Sequence, residues 1–169
     1  PAALPTKILA PSQSKPALML DNGVPTGELP DPIRVELRSV EQEMVSADQS
    51  FAFEFFENVF LEEAGGDDEN FMVSPLSLSM ALAMTSNGAA GETKSAIREA
   101  LELGAYPDED VNGYYKKLKE ALLKTDPSTK LSIANAIFTN EHIELKRDFI
   151  NTNRSFYVAT VKPVDFDDP

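Results

Sequence analysis

The sequence contains no cysteine and a single histidine, His142. Without thiols the chain cannot form a disulfide, a zinc–thiolate site or a redox switch, and it has no cysteine nucleophile. One imidazole leaves little scope for metal-assisted hydrolysis or Ser-His catalysis. His142 has Glu141 and Glu144 nearby, but a lone histidine in a turn is usually only exposed, and we assign it no role. We therefore predict no metal, no cofactor and no catalytic residue, and expect a protein that is not an enzyme.

Basic residues are also scarce, because 15 Lys and Arg stand against 28 Asp and Glu, for a formal net charge of −13. Such a surface repels nucleic-acid phosphates and anionic lipid headgroups, so we expect no nucleic-acid partner. The chain has no apolar run near the ~20 residues that a membrane helix requires, and it begins at Pro1 without a basic and hydrophobic leader. We expect no membrane span and no signal segment within it.

The 169 residues, 42% of them hydrophobic and 25% charged, have the composition of a globular domain. Seven of the 12 prolines fall in the first 40 residues. Since proline fixes φ and removes a backbone donor, we predict a proline-rich N-terminal extension over residues 1–40 and a folded domain over residues 41–169.

Helical periodicity predicts two helices in the first half of that domain. From Asp48 to Gly65–Gly66 the pattern has its apolar stripe at Ala52, Phe55, Phe56, Val59 and Phe60. Ser74 and Pro75 are typical of a helix cap and a first helical position. From Leu76 to Met84 the next helix is apolar on every side, which predicts enclosure by protein all round. The rest of this chain offers few elements to do so.

The second half combines helices with strands. A short helix from about Thr93 has Ile97, Ala100 and Leu101 as its inward face. A longer helix from Glu109 to Lys124 carries Val111, Tyr114, Tyr115, Leu118 and Leu122. Alternation predicts a strand over Leu131 to Phe138, followed by a helix over 147–157 and a strand over 159–166 that Pro163 restricts to a sheet edge. These elements predict an α+β fold with an incomplete sheet.

A long motif runs NFMVSPLSLSMALAM from Asn70 to Met84, then GAAGET from Gly88 to Thr93, followed by Ile97 and Leu101. This motif resembles the second-helix signature of the serpins, the serine protease inhibitor superfamily. The strand around Asn135 and the elements after it are similar to the next parts of the same family. The resemblance covers roughly residues 45 to 169, and it indicates the amino-terminal portion of one serpin domain.

This resemblance implies a serpin fold, with three β-sheets surrounded by eight or nine helices. The chain would supply the first helices and the first strands of the large sheet. Serpins act by a suicide mechanism, in which a protease cleaves the reactive-centre loop and the loop inserts into the large sheet as a new strand. The implied partners are a serine endopeptidase, with cysteine endopeptidases as a second class, and the remaining carboxy-terminal part of the domain, which holds the loop. The expected location is secreted or cell-surface.

Two alternatives stay open beside the inhibitor. A non-inhibitory serpin has the same fold and acts as a binding, carrier or chaperone protein, because fold does not fix function. The chain could also be an independent small domain that merely shares the helix signature and acts as an interaction module. The wholly apolar helix argues against this hypothesis, since a small domain could scarcely enclose it.

The resemblance also places four residues, Ser74, Pro75, Ser77 and Asn135, in the shutter, the polar cluster beneath the sheet where strands part to admit the loop. From the residues alone, the serines form a helix cap and Asn135 is a hydrogen-bonded core amide. The shutter assignment implies control of sheet opening and no catalysis.

Two surface features receive no functional role. Four lysines lie on a helix that resembles the one some serpins use for heparin: Lys116, Lys117, Lys119 and Lys124. Glu120 interrupts them and the chain is acidic, so we predict a solvated face and no heparin-like polyanion partner. Asn153-Arg154-Ser155 matches a glycosylation sequon, but such three-residue matches often arise by chance.

Overall fold

The computed structural model describes residues 35–63, 71–124 and 130–166. Over these ranges the elements are α1 (Ser39–Glu63), α2 (Pro75–Ser86), α3 (Gly91–Ala100), α4 (Asp108–Leu122), β1 (Ala136–Asn140), α5 (Arg147–Tyr157) and β2 (Thr160–Val164). Most of the predicted proline-rich extension lies outside the described residues, as do the glycines predicted to end the first helix.

Helix α1 begins at Ser39, nine residues before the predicted start at Asp48. The backbone N–H of Arg38 donates to Oε2 of Glu41 at 2.7 Å, and the Glu41 N–H donates to the Arg38 carbonyl at 2.9 Å. A glutamate that reaches back to the residue before the helix satisfies one of the free amides of the first turn. The periodicity search missed this start because the cap uses Glu41 in place of a serine or aspartate.

The buried face of α1 also differs from the prediction. Met44, Ala47 and Phe51 are buried, whereas Phe56 is 47% and Phe60 is 49% exposed. These two rings stack with centroids 6.3 Å apart, and each contacts Phe71. Phe55 of the predicted stripe packs against the core, but Phe56 and Phe60 contact Phe71 instead of the buried core.

Helix α2 is buried on one face within the described residues. Met80 and Ala83 are almost fully buried, Leu78 and Leu82 are half-buried, and Ala81 is exposed. Helices α1, α3, α4 and α5 contact it, and the sheet formed by the described residues has two strands, so no broad sheet covers α2 there. The predicted enclosure on every side is wrong for this chain taken by itself, since its elements reach only part of the helix surface.

Helices α3 and α4 complete the helical layer. Val111, Tyr114 and Tyr115 are buried as predicted for α4. In α3, Ala100 is exposed and Arg98 is buried instead. Arg98 reaches inward because its Nη2 donates to the Tyr106 carbonyl at 3.0 Å and to Oδ1 of Asp108 at 3.1 Å.

Strands β1 and β2 are parallel, with Ala136 opposite Thr160 and Thr139 opposite Pro163. Helix α5 connects them, as parallel strands require a crossover. Residues 131–135 have no regular structure, so β1 is shorter than predicted, because alternation marks faces and does not reveal where pairing begins. Each strand is an edge of this pair, which is a position that tolerates Pro163.

Candidate functional site

Ser74 and Ser77 form a polar pair at the start of α2. Their hydroxyl oxygens are 2.8 Å apart, and the Ser77 N–H donates to Oγ of Ser74 at 3.4 Å. Pro75 occupies the first turn, where its missing N–H leaves no donor unsatisfied. Both serines are exposed. The contacts that the pair makes in this structure are those of a helix cap.

Asn135 lies elsewhere, at the residue before β1. Its Nδ2 donates to the backbone carbonyl of Tyr157 at 3.0 Å, and its own carbonyl accepts from the Thr160 N–H at 2.9 Å. The hydrogen bonds described for residues 71–124 and 130–166 join Asn135 to neither serine. The structure thus divides the four predicted shutter residues into a group at the start of α2 and a single amide that joins α5 to both strands.

The partner of Asn135 is the last carbonyl of α5. Val158 adopts a left-handed backbone with φ 54°, which ends the helix and leaves the Tyr157 carbonyl without a partner in α5. Nζ of Lys119 in α4 donates to the same oxygen at 3.1 Å. A cation is favourable there, because the carbonyl end of a helix carries partial negative charge. One oxygen therefore holds α4, α5 and the start of β1 together.

The side chain of Tyr157 is fixed from the other direction. Its hydroxyl donates to Oδ1 of Asn112 at 2.7 Å, and the residue is 1% exposed. Burial raises the pKa of the Tyr157 phenol, so the hydroxyl remains a donor at neutral pH. The ring also contacts Tyr115 at a centroid distance of 6.0 Å. Tyr157 is therefore held at both its ring and its backbone.

Three asparagines extend this arrangement. Asn87 and Asn112 exchange amide hydrogen bonds of 2.9 and 3.0 Å. Nδ2 of Asn87 also lies 3.4 Å from Oδ1 of Asn153, whose own Nδ2 donates to the Phe149 carbonyl at 3.0 Å. Asn153 has no exposed surface, so the sequon asparagine is inaccessible. We name these residues the Tyr157 cluster: Tyr157, Asn87, Asn112, Asn153 and Lys119.

Sequence reasoning missed this cluster, although a signal for it exists. Asn112 follows Val111 and precedes Tyr115 by three positions, and Asn153 lies four positions before Tyr157. Both asparagines therefore occupy the apolar faces of their helices, where a buried amide requires hydrogen-bond partners. Polar residues inside an apolar stripe predict a buried network, but they do not identify its members.

The lysines of α4 correct a second prediction. Lys116 and Lys124 are exposed, but Lys119 is only 8% exposed. Lys117 is half-buried and lies 2.6 Å from Oε2 of Glu41. The predicted solvated face is therefore wrong for Lys119 and incomplete for Lys117, because the helix turns these two toward the interior and toward α1.

Two carboxylates of α1, those of Glu41 and Asp48, bind side chains of α4. Burial acts to raise the pKa of Glu41, but hydrogen bonds from Lys117 and Arg38 outweigh it and lower that pKa to about 2. Asp48 accepts from the hydroxyls of Tyr114 at 2.7 Å and Tyr115 at 2.8 Å. Burial is the larger influence on Asp48 and raises its pKa. These contacts fix the position of α4 from its other side.

Neither a bilayer span nor a metal centre is evident in the described ranges. Their helices are too short or too polar to cross a bilayer. The same residues hold no group of three or more histidine, cysteine, aspartate or glutamate side chains placed for a metal ion.

Comparison with protein families gives a match over most of the chain. The family model described as Serpin (serine protease inhibitor) matches residues 46–169. Serpin A3-3 of Bos taurus is 34% identical over 128 residues, which are 75% of this chain and 30% of that protein. The plasma serine protease inhibitor of Bos taurus is 33% identical over 108 residues, which are 63% of this chain and 27% of that protein.

A binding protein is similar as well. The corticosteroid-binding globulin of Oryctolagus cuniculus is 29% identical over 136 residues, which are 79% of this chain and 35% of that protein. The chain spans about a third of the length of the curated relatives it matches.

Solved structures match at the level of the fold. Cleaved kallistatin complexed with heparin has a TM-score of 0.67 and 28% identity, over 76% of this chain and 37% of that chain. Reactive-loop-cleaved human thyroxine-binding globulin has a TM-score of 0.65 and 29% identity, over 76% of this chain and 38% of that chain. Because kallistatin takes heparin in that structure, the expectation that excluded a heparin-like polyanion loses its support.

Proposed function

Because this chain belongs to the serpin family, whose model matches residues 46–169, we propose that it is the amino-terminal scaffold of a protease inhibitor. Family and fold confirm the resemblance and the α+β architecture predicted from the sequence. The observation that carries the inhibitory proposal is the similarity to inhibitors named as such, at 33% identity for the plasma serine protease inhibitor.

The proposed reaction consumes the inhibitor. The hydroxyl of the target's catalytic serine attacks the scissile carbonyl of the reactive-centre loop, the peptide bond breaks, and the amine leaves with the proton. The acyl ester remains on the target. Loop insertion into the large sheet distorts the target before water can hydrolyse that ester, so the inhibitor does not turn over. A cysteine endopeptidase would form the corresponding thioester.

The driving force is the strand that the sheet gains. An inserted strand completes ladder hydrogen bonds and buries side chains, so a sheet that awaits it is metastable. The chain's part is to supply β1, β2 and the helices beneath, and to hold the sheet closed until the loop is cut. It contributes no catalytic group to this reaction.

Within that scaffold we assign the shutter to Ser74, Pro75, Ser77 and Asn135. The exposed hydroxyl pair of Ser74 and Ser77 supports this role, because the pair can bond to elements laid over α2. Asn135 supports it through its bonds at the start of β1. A purely structural role, with the serines as a helix cap and Asn135 as a hydrogen-bonded core amide, would involve the same hydrogen bonds.

The test of inhibition uses the complete serpin domain that contains this chain. The domain is incubated with trypsin-, subtilisin- and papain-like proteases, and the products are separated in denaturant. We expect a denaturant-resistant adduct of one domain and one protease. Cleavage of the loop with full protease activity and no adduct for any of the three would overturn the inhibitory proposal.

A second candidate is a non-inhibitory binding protein, favoured by the corticosteroid-binding and thyroxine-binding globulins among the similar proteins. The two candidates differ in the hinge before the scissile bond. Small hinge residues permit insertion, whereas bulky, charged or proline residues obstruct it. A rise in thermal stability after loop cleavage distinguishes an inserting sheet from one that does not insert.

We further propose that the protein is secreted or displayed at a cell surface. Support comes from the plasma serine protease inhibitor, whose name places that relative in plasma. Immunodetection of the protein in culture medium or on intact cells tests this location. Detection confined to the cell interior would contradict it.

A further inference from the structure

We propose that Lys119 and Tyr157 are positioning residues for Asn135, so that the placement of helix α4 governs how firmly strand β1 is held. This proposal rests on the proposed role of Asn135 in the shutter. It goes beyond that role by naming the residues that control it and the helix from which control is exerted.

The first step is the shared acceptor. The Tyr157 carbonyl accepts from Nζ of Lys119 at 3.1 Å and from Nδ2 of Asn135 at 3.0 Å. The two donors come from α4 and from the residue before β1, which are different elements of the fold. Because both bonds use one oxygen, any displacement of Tyr157 alters both of them.

The second step is the burial of Lys119. At 8% exposure its ammonium cannot be solvated freely, and a buried cation without an acceptor is strongly unfavourable. The end of α5 therefore follows α4 when α4 moves. Exposed Lys116, on the same helix, is under no such constraint.

The third step is the fixed orientation of Tyr157. Oδ1 of Asn112 accepts from the Tyr157 hydroxyl and from Nδ2 of Asn87, at 2.7 and 2.9 Å. Asn153, one helical turn before Tyr157, is completely buried against Asn87. Because its hydroxyl is bonded to this amide group, rotating Tyr157 would leave that buried hydroxyl without an acceptor.

The consequence reaches the sheet. The Asn135 carbonyl accepts from the Thr160 N–H, next to the first paired residues of the two strands, Ala136 and Thr160. When the Asn135 side chain loses the Tyr157 carbonyl, this first link between the strands loses its support.

The experiment uses the complete serpin domain carrying Lys119→Met, with Lys116→Met as the matched control. Methionine keeps the length of the side chain and removes the donor. The readouts are the NMR signal of the Asn135 side-chain amide and the hydrogen-exchange rate of the Thr160 amide. We expect Lys119→Met to shift the Asn135 signal and to speed Thr160 exchange about tenfold, as loss of a charged hydrogen bond implies. Lys116→Met should change neither.

A second variant, Tyr157→Phe, keeps the carbonyl and removes only the hydroxyl bond to Asn112. We expect a smaller change of the same kind, on the order of threefold in Thr160 exchange. This variant decides the matter if Lys119→Met does not fold. Lower thermal stability with an unchanged Asn135 signal and unchanged Thr160 exchange would show that Lys119 and Tyr157 are merely structural, and would overturn the proposal.

Failure of the inhibitory function is distinguishable from failure of this coupling. If the unmodified domain forms no protease adduct but Lys119→Met still speeds hydrogen exchange of the Thr160 amide, the coupling stands and the inhibitory proposal falls. If the adduct forms and Lys119→Met behaves like Lys116→Met, the coupling falls alone.

Discussion

Two polar groups in this molecule differ in nearly every physical respect. The serine pair at the start of α2 is exposed and joins residues three positions apart. The Tyr157 cluster is buried and joins positions up to 66 apart, as in the contact between Asn87 and Asn153. The first stabilises one helix end, whereas the second holds three helices and the start of a strand. Substitutions should therefore cost far more in the cluster than in the pair.

The largest effect is expected from Tyr157→Ala. Truncation removes a buried ring and its hydroxyl bond to Asn112, so the free energy of unfolding should fall by about 3–5 kcal/mol. The control is Tyr106→Ala, at a half-buried tyrosine whose hydroxyl bonds to Glu43. Urea unfolding of the complete domain measures both. Equal losses for the two tyrosines would remove the contrast between cluster and surface.

A smaller loss is expected from Gly88→Ala. A β-carbon at Gly88 would lie 2.9 Å from two ring carbons of Phe149, so the ring must move and disturb the adjacent amides. We expect a loss of about 1–3 kcal/mol. Gly113→Ala is the control, because its β-carbon would have no neighbour within 4 Å and alanine favours the helix. Thermal melts should show the two glycines shifting stability in opposite directions.

In the serine pair, Ser77→Phe should affect polymer formation and loop insertion more than the free energy of unfolding. The free energy of unfolding should fall by only about 1 kcal/mol, since one exposed hydroxyl bond is lost. We expect polymers or spontaneous loop insertion after mild heating, because the proposed shutter would no longer close. Asn135→Asp should act in the same direction. Size-exclusion chromatography after heating measures the monomer fraction, with Ser95→Phe at an exposed position of α3 as the control. An unchanged monomer fraction in Ser77→Phe would contradict the shutter role.

The smallest effect is the acid dependence from Glu41. Its pKa of about 2 lies below the usual 4.5, so its contribution to stability is present above pH 4.5 and is lost as the pH falls toward 2. Its partner Arg38 has a 60% exposed side chain, and solvent screening of that guanidinium limits the contribution to about 1 kcal/mol. Glu41→Gln should flatten this part of the stability profile. Glu120→Gln, on the exposed side of α4, should leave the profile unchanged, and the same flattening in both would reject the assignment.

Local signals made part of the fold predictable. Ser74 and Pro75 mark the start of α2, and the periodicity of Val111, Tyr114 and Tyr115 defines α4. Both signals are predictable because helix caps and apolar helix faces depend on residues close together in sequence. The start of α1 was missed since Glu41 caps it from inside the helix. The predicted start of strand β1 lies too early in the sequence, because strand pairing depends on Thr160, a residue that follows an intervening helix.

The candidate site was less predictable for a related reason. The family resemblance supplied Ser74, Pro75, Ser77 and Asn135, and these remain proposals. Lys119 was placed in solvent because its charge suggested it, although its partner is a backbone carbonyl that no side-chain pattern reveals. Long-range bonds to backbone atoms depend on tertiary packing, and a single sequence does not report them.

The burial of Asn153 has a consequence for biosynthesis. Because Asn153 has no exposed surface, a sugar on its Nδ2 would find no space and would keep α5 from packing against α2 and α4. In a secretory compartment, where this tripeptide is an acceptor, helix formation and enzymatic attachment of a glycan would compete for the same nitrogen during synthesis. Preparations heavier by one glycan at Asn153 should accordingly be the misfolded fraction.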